Sequence, residues 1–391
     1  MGSTASTSHR LKLITLTAAL AAAVLMRPVS GQSPDIHGTW TAELHSGKVF
    51  LQLRTNPPPE SNGDRWNGDW SMGQSLDIDT VNGLPGDTDT LTAASVKFEL
   101  RREAGTVACE GAFRDGRGAG LFTFSPRAEY VAEMKRLGYN DDLPLWRRFQ
   151  LAAHDVGPRY IAALKAEGYD KLTLDAVQRA RTHGVTIEYI KGLKAEGYRG
   201  AALEDLVRTR DHGVTQAFVQ GMRKAGFANA PIEDLVRAKD HGVTPEFVQE
   251  IRGLGLAVDT LDNFVRLRDH GVRAAFVTDL KAAGYDKLGP EDLIRVHDHG
   301  VTPTYIRELG ANGFKNLPLE GVVRSKDHGV SAEYLADMKE LGLQNLTLQE
   351  VVRLRDHGIT PGFVNHARSR GFKTTDPEEL VRLKNGGLWK N

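Results

Sequence analysis

Residues 232–255 read IEDLVRAKDHGVTPEFVQEIRGLG, and this stretch decides the fold. Ile232, Leu235 and Val236 fall at i, i+3 and i+4, the spacing of one apolar helix face. Glu233 and Asp234 stand where a helix N-terminus favours acid, and Pro231 precedes them at little cost. His241 closes the helix, Gly242 supplies the left-handed residue that stops it, and Val243 is the apolar residue of a Schellman-type ending. Thr244 then caps a second helix with Pro245 in its first turn. Phe247, Val248, Ile251 and Leu254 form the buried face of this helix, and Gly255 ends it. Two rods of about ten residues, each about 15 Å long, do not hold their shape alone in water. They need neighbours.

The sequence supplies them. His-Gly recurs every 29 residues at His183, His212, His241, His270, His299, His328 and His357, with a degenerate copy at His154 and Gly386 in the His place of the last copy. An Arg column, including Arg208, Arg237, Arg266, Arg295, Arg324 and Arg353, keeps the same step. So does an aromatic column: Tyr160, Tyr189, Phe218, Phe247, Phe276, Tyr305, Tyr334 and Phe363. About eight such units predict an α-solenoid of 29-residue helix-turn-helix repeats over 125–391. Residues 125–139 read as a lone second helix, and Asp376-Pro377-Glu378-Glu379 opens a lone first helix. Half-repeats therefore cap both ends.

Upstream the pattern changes. His9, Arg10 and Lys12 precede an uncharged run from Leu13 to Met26, and Val29-Ser30-Gly31 offers small-residue cleavage spacing. Residues 1–31 are expected to be a signal peptide, with an uncleaved anchor as the alternative. Between 35 and 124, short alternating runs are broken by Gly, Pro and Asn. Thr39–Leu44, Val49–Thr55, Arg65–Ser71, Ala94–Arg101, Thr106–Phe113 and Gly120–Phe124 are the strand candidates of a small antiparallel β-barrel or sandwich. The fold class is thus α+β multidomain. Gly38-x-Trp40 is similar to the lipocalin opening motif, with a Trp that fills the core as the alternative. Asp77, Asp79, Asp87 and Asp89 surround a loop, but Val81 falls where a calcium loop needs an oxygen, so a solvated acidic turn is expected. Cys109 shares a strand face with Val107 and reads as a buried small hydrophobe.

The composition narrows the function. Fifty basic and 50 acidic residues leave no excess for phosphate contacts, so no nucleic-acid partner is expected. A single Cys excludes a disulfide framework and any multi-Cys zinc site. The repeated Asp-His-Gly invites a metal or catalytic reading, but stacked helices lie about 8–10 Å apart, too far for histidines of neighbouring repeats to share one zinc. A structural role is expected instead: His and Arg favour a helix C-terminal end. Arg208 can pair within its helix with Glu204 or Asp211. A pH-responsive histidine row is the alternative. No catalytic motif stands in a usable context, so neither enzyme activity, nor a cofactor, nor a metal is expected.

The text Phe264-Val265-Arg266-Leu267-Arg268-Asp269-His270-Gly271 resembles the accessory C-terminal repeats of the β-lactam-sensor/antirepressor metallopeptidase family. The segment Gly118-Ala119-Gly120-Leu121-Phe122-Thr123-Phe124-Ser125-Pro126 is similar to the one preceding such repeats. The zinc motif and membrane helices of that family are absent from this sequence, so the resemblance implies no peptidase activity; it implies an extracytoplasmic sensing or scaffolding role. The expectation is a secreted or periplasmic, non-enzymatic protein-interaction scaffold with no membrane span in the mature chain and a protein partner. The alternatives are a small-ligand-binding β-barrel on a helical stalk, or an accessory sensor subunit of an envelope signalling system.

Overall fold

The computed structural model describes residues 35–56, 69–84 and 94–387; the expected signal segment, Asp87 and Asp89 lie outside them. Six antiparallel strands, β1 (Ile36–His45), β2 (Lys48–Thr55), β3 (Trp70–Asp77), β4 (Ala94–Arg102), β5 (Gly105–Arg114) and β6 (Arg117–Pro126), form one sheet in the order β3-β2-β1-β6-β5-β4. The expected barrel is corrected here, because the sheet is open. At the outer edge of β4, Asn82 exchanges both backbone hydrogen bonds with Glu99, so the turn after β3 occupies groups that a closing strand would need. The six described strands form one hydrogen-bonded sheet rather than the two sheets of a sandwich. Of the expected third strand, 65–71, residues 65–68 lie outside the described residues, and the described strand continues past Ser71 to Asp77. Pairing Leu53 with Met72 and Thr55 with Trp70 requires partners as far as Asp77 opposite Lys48.

Alternation puts one face of the sheet in the core. Trp40 is buried with its ring 5.0 Å from Phe98 and 5.6 Å from Phe113, and its Nε1 donates to the Glu110 carbonyl at 3.2 Å. Leu143–Phe149 belongs to the same compact unit. There Phe149 stacks on Phe122 at 5.5 Å and meets Trp70 edge-on at 5.0 Å. Cys109 is buried beside this core, and burial pushes its thiol up to about 12. A thiol held protonated and covered is a poor nucleophile. Native protein at pH 8 should therefore leave Cys109 unmodified by a disulfide exchange reagent while denatured protein reacts at once; equal rates would contradict the burial.

The second unit comprises Glu129–Asp142 and the chain from Gln150 onward. Its helices fall into two series. The odd series is α1 (Tyr130–Arg136), α3 (Pro158–Ala166), α5 (Ile187–Ala195), α7 (Gln216–Lys224), α9 (Pro245–Gly253), α11 (Ala274–Ala282), α13 (Pro303–Ala311), α15 (Ala332–Glu340) and α17 (Pro361–Ser369). The even series is α2 (Leu145–Ala153, shared with the sheet unit), α4 (Leu174–Thr182), α6 (Leu203–Asp211), α8 (Ile232–Asp240), α10 (Leu261–Asp269), α12 (Pro290–Asp298), α14 (Leu319–Asp327), α16 (Leu348–Asp356) and α18 (Pro377–Asn385). Odd helices pack on odd from α1 through α17, and even on even from α4 through α12 and from α14 through α18. Each helix thus finds the neighbour it needs in the same element of the next repeat.

The junctions follow from local chemistry. His241 is the C-cap of α8, Gly242 turns at φ +68°, and Val243 N–H donates back to the Ala238 carbonyl at 2.8 Å. This is the six-to-one bond of a Schellman ending. Thr244 Oγ1 then accepts from Phe247 N–H at 3.2 Å to start α9. Val243, Phe247, Val248 and Ile251 are all buried.

Candidate functional site

The recurring polar residues are brought together between repeats. His183 Nδ1 meets Asp211 at 2.5 Å, His212 meets Asp240 at 2.8 Å, and His241 meets Asp269 at 2.7 Å. His270–Asp298, His299–Asp327 and His328–Asp356 continue the row. An ionised carboxylate only accepts, so each imidazole donates through Nδ1. At the first end, His154 faces the Thr182 hydroxyl at 3.0 Å, and Asn385 stands where the partner of His357 would fall. Each Asp lies in the last turn of an even helix, where its charge opposes the dipole; the imidazole of the preceding repeat offsets this.

The Arg column corrects the expected pairing. Arg208 reaches Glu233 at 2.7 Å on the following even helix rather than Glu204 on its own. Glu204 is taken by Arg179 at 2.9 Å, and Asp211 by His183. Arg237–Asp262, Arg266–Glu291, Arg295–Glu320 and Arg353–Glu378 repeat the arrangement. The acid sits in the first turn of the next helix, a position the dipole favours. The hydrogen bond from Arg266 holds the Glu291 carboxyl below its usual range. Arg324 breaks the series, since position 349 is Gln. Gln349→Glu should complete the pair and add about 0.5 kcal/mol, a typical exposed-pair gain. The increment in urea midpoint should shrink in 1 M salt; no increment at low salt would refute the pairing rule.

Two further columns escaped the sequence reading because residue type alternates along them. The first places a cation over the aromatic column: Arg181 over Tyr160 at 5.0 Å, Lys239 over Phe218 at 5.2 Å, Lys326 over Tyr305 at 4.9 Å and Lys384 over Phe363 at 4.8 Å. His297 meets Phe276 edge-on at 5.3 Å. A Cβ on Gly184 would lie 3.2 Å from the Arg210 guanidinium, so glycine in His-Gly also leaves room for this cation.

The second column runs Lys165, Lys194, Arg223, Arg252, Lys281, Gly310, Lys339 and Arg368. Lys165 Nζ donates to the Leu137 carbonyl at 2.6 Å, Lys194 to Glu167 at 2.6 Å, and Arg252 to Ala225 at 2.5 Å. Lys281 donates to the Leu254 carbonyl and Arg368 to that of Leu341. These carbonyls close the preceding odd helix, where the dipole is negative. Arg223 instead approaches the Glu196 carboxylate at 3.4 Å.

Two cavities open along this column, one repeat apart. The one lined by Ala283, Tyr285, Leu309, Gly310, Leu317 and Val322 has a volume of about 360 Å³. Its counterpart, lined by Asn312, Phe314, Met338, Lys339, Leu346 and Val351, has about 270 Å³. Among the described residues no group of three or more His, Cys, Asp or Glu is placed to hold a metal ion, and no helix is long and apolar enough to cross a membrane. No protein-family model, curated protein or solved structure matches the chain.

Proposed function

We propose that the chain is a secreted or periplasmic, non-enzymatic scaffold whose helical region is an α-solenoid offering an extended surface to a protein partner. One observation carries this reading: the recurring His, Arg, Asp and Glu side chains engage the adjacent repeat, in six His–Asp pairs and six Arg–carboxylate pairs, instead of converging on a reaction centre. Stacked repeats that contact only their neighbours build surface without a central pocket. The resemblance to accessory repeats of envelope sensor proteins favours the same class of role. A ligand-carrying β module is less favoured, because Trp40, Phe98 and Phe113 fill the interior that a ligand would occupy.

The test uses the full chain with a purification tag, cross-linked in an envelope fraction. A protein partner whose cross-links map to 158–385 supports the scaffold. Cross-links confined to 35–126, or a small molecule retained in equal amount with the protein, would transfer the function to the β module.

A further inference from the structure

The repeat that carries Gly310 lacks the basic side chain that stands at the seven other places of this column. In three other repeats the same construction is occupied from within the chain. Lys165 binds the Leu137 carbonyl while its Nζ lies 6.0 Å from the Tyr139 ring; Lys194 binds that of Glu167 with the Tyr169 ring at 5.7 Å. Arg252 binds the Ala225 carbonyl with the Phe227 ring at 4.5 Å. The recognition unit is thus a carbonyl at the negative end of a helix beside an aromatic face, the two features that attract a desolvated cation.

Counting the same step along the chain, the carbonyl falls at Ala283, the ring at Tyr285, and the cation at Gly310. Ala283, Tyr285 and Gly310 line one cavity of about 360 Å³. In the next repeat, where Lys339 is present beside Asn312 and Phe314, the cavity measures about 270 Å³. The Tyr285 hydroxyl donates to the Leu317 carbonyl at 2.8 Å, which fixes the ring at the wall.

We propose that this cavity binds a lysine or arginine side chain presented by the scaffold's partner, which completes the column in trans. The inference rests on the scaffold reading and names the chemistry of its contact. Two exposed cations lie on the cavity wall: Arg307, which donates to Thr304 Oγ1 at 3.0 Å, and Lys315. They repel an isolated cation and pair with carboxylates. The occupant is therefore a basic residue flanked by acidic ones on a peptide segment.

The probe is acetyl-Glu-Lys-Glu-amide titrated into the full chain, with acetyl-Glu-norleucine-Glu-amide as the uncharged control. Binding is followed by calorimetry and by the NMR signals of the Tyr285 ring. The lysine peptide should bind at least tenfold more tightly than the norleucine peptide and should shift the Tyr285 signals. Gly310→Lys installs in cis a basic residue, found as Lys at four and Arg at three other places in the column, so it should melt no lower than wild type and weaken the lysine peptide at least tenfold. Tyr285→Leu, matching Leu256 and Leu343 in the ring column, should weaken it about threefold or more. Equal affinity for the two peptides, undiminished binding to Gly310→Lys, or a lower melting temperature for that variant would overturn the proposal. A partner still cross-linked to 158–385 in those circumstances would leave the scaffold reading intact.

Discussion

Phe264→Ala should destabilise the helical unit by about 3–5 kcal/mol, the range for removing a fully buried aromatic side chain. Phe264 has no exposed surface; its ring stands 5.8 Å from Phe227 and 6.2 Å from Phe247, and the Arg252 guanidinium lies 5.8 Å from it. The equivalent positions carry Leu206, Leu235 and Leu293, so Phe264→Leu should lose much less. The pattern of loss matters more than its size. Because α10 packs on α8 and α12, its weakening acts first on its neighbours. Hydrogen exchange should accelerate most over 232–298, while 158–211 and 332–385 keep their protection. Uniform acceleration would mean that the unit unfolds as one body and that nearest-neighbour coupling does not describe it.

The features legible in the sequence are those where one residue type recurs in place. His-Gly followed by Val or Ile recurs because the turn needs a positive φ, a small residue beneath the incoming cation and an apolar contact, so its period can be read letter by letter. The pairing partners were hidden because they lie on different columns. His183 reaches a residue 28 positions on and Arg208 one 25 positions on, offsets set by how one repeat lies on the next. Within one helix the i, i+4 rule offered Glu204 to Arg208, a reasonable partner that the preceding repeat had already engaged. The cation columns were missed for another reason. Arg181 and Lys239 do the same job over an aromatic ring and share charge rather than identity, while His297 meets its ring edge-on. Gly310 becomes visible only once that class-wise column is drawn. In the sheet, the far end of β3 is not legible because its run from Ser71 to Ser75 is polar apart from Met72; its extent to Asp77 is set by pairing with β2, which a local pattern does not encode.

Gly120→Ala should cost the sheet unit about 3 kcal/mol or more through overpacking against backbone that has no free rotamer to yield. Gly111 and Gly120 stand opposite each other in the β5–β6 ladder. A Cβ on Gly120 would lie 2.0 Å from the Glu110 carbonyl oxygen and 2.7 Å from Gly111 Cα. Moving that carbonyl also disturbs the acceptor of the Trp40 indole, whose ring lies 2.6 Å from where a Gly111 Cβ would be. Gly73→Ala is the informative control. Its Cβ would meet the Phe50 ring at 2.8 Å, but Phe50 is 50% exposed and its side chain can swing aside. The Trp fluorescence transition should therefore move to lower temperature in Gly120→Ala and hardly at all in Gly73→Ala. Joined to the peptide titration, the variant also separates the two parts of the proposal. Lysine-peptide binding that survives loss of the sheet places recognition in the helical repeats. Binding lost together with the sheet, at a temperature where the helices remain formed by circular dichroism, would make the β module a necessary part of it.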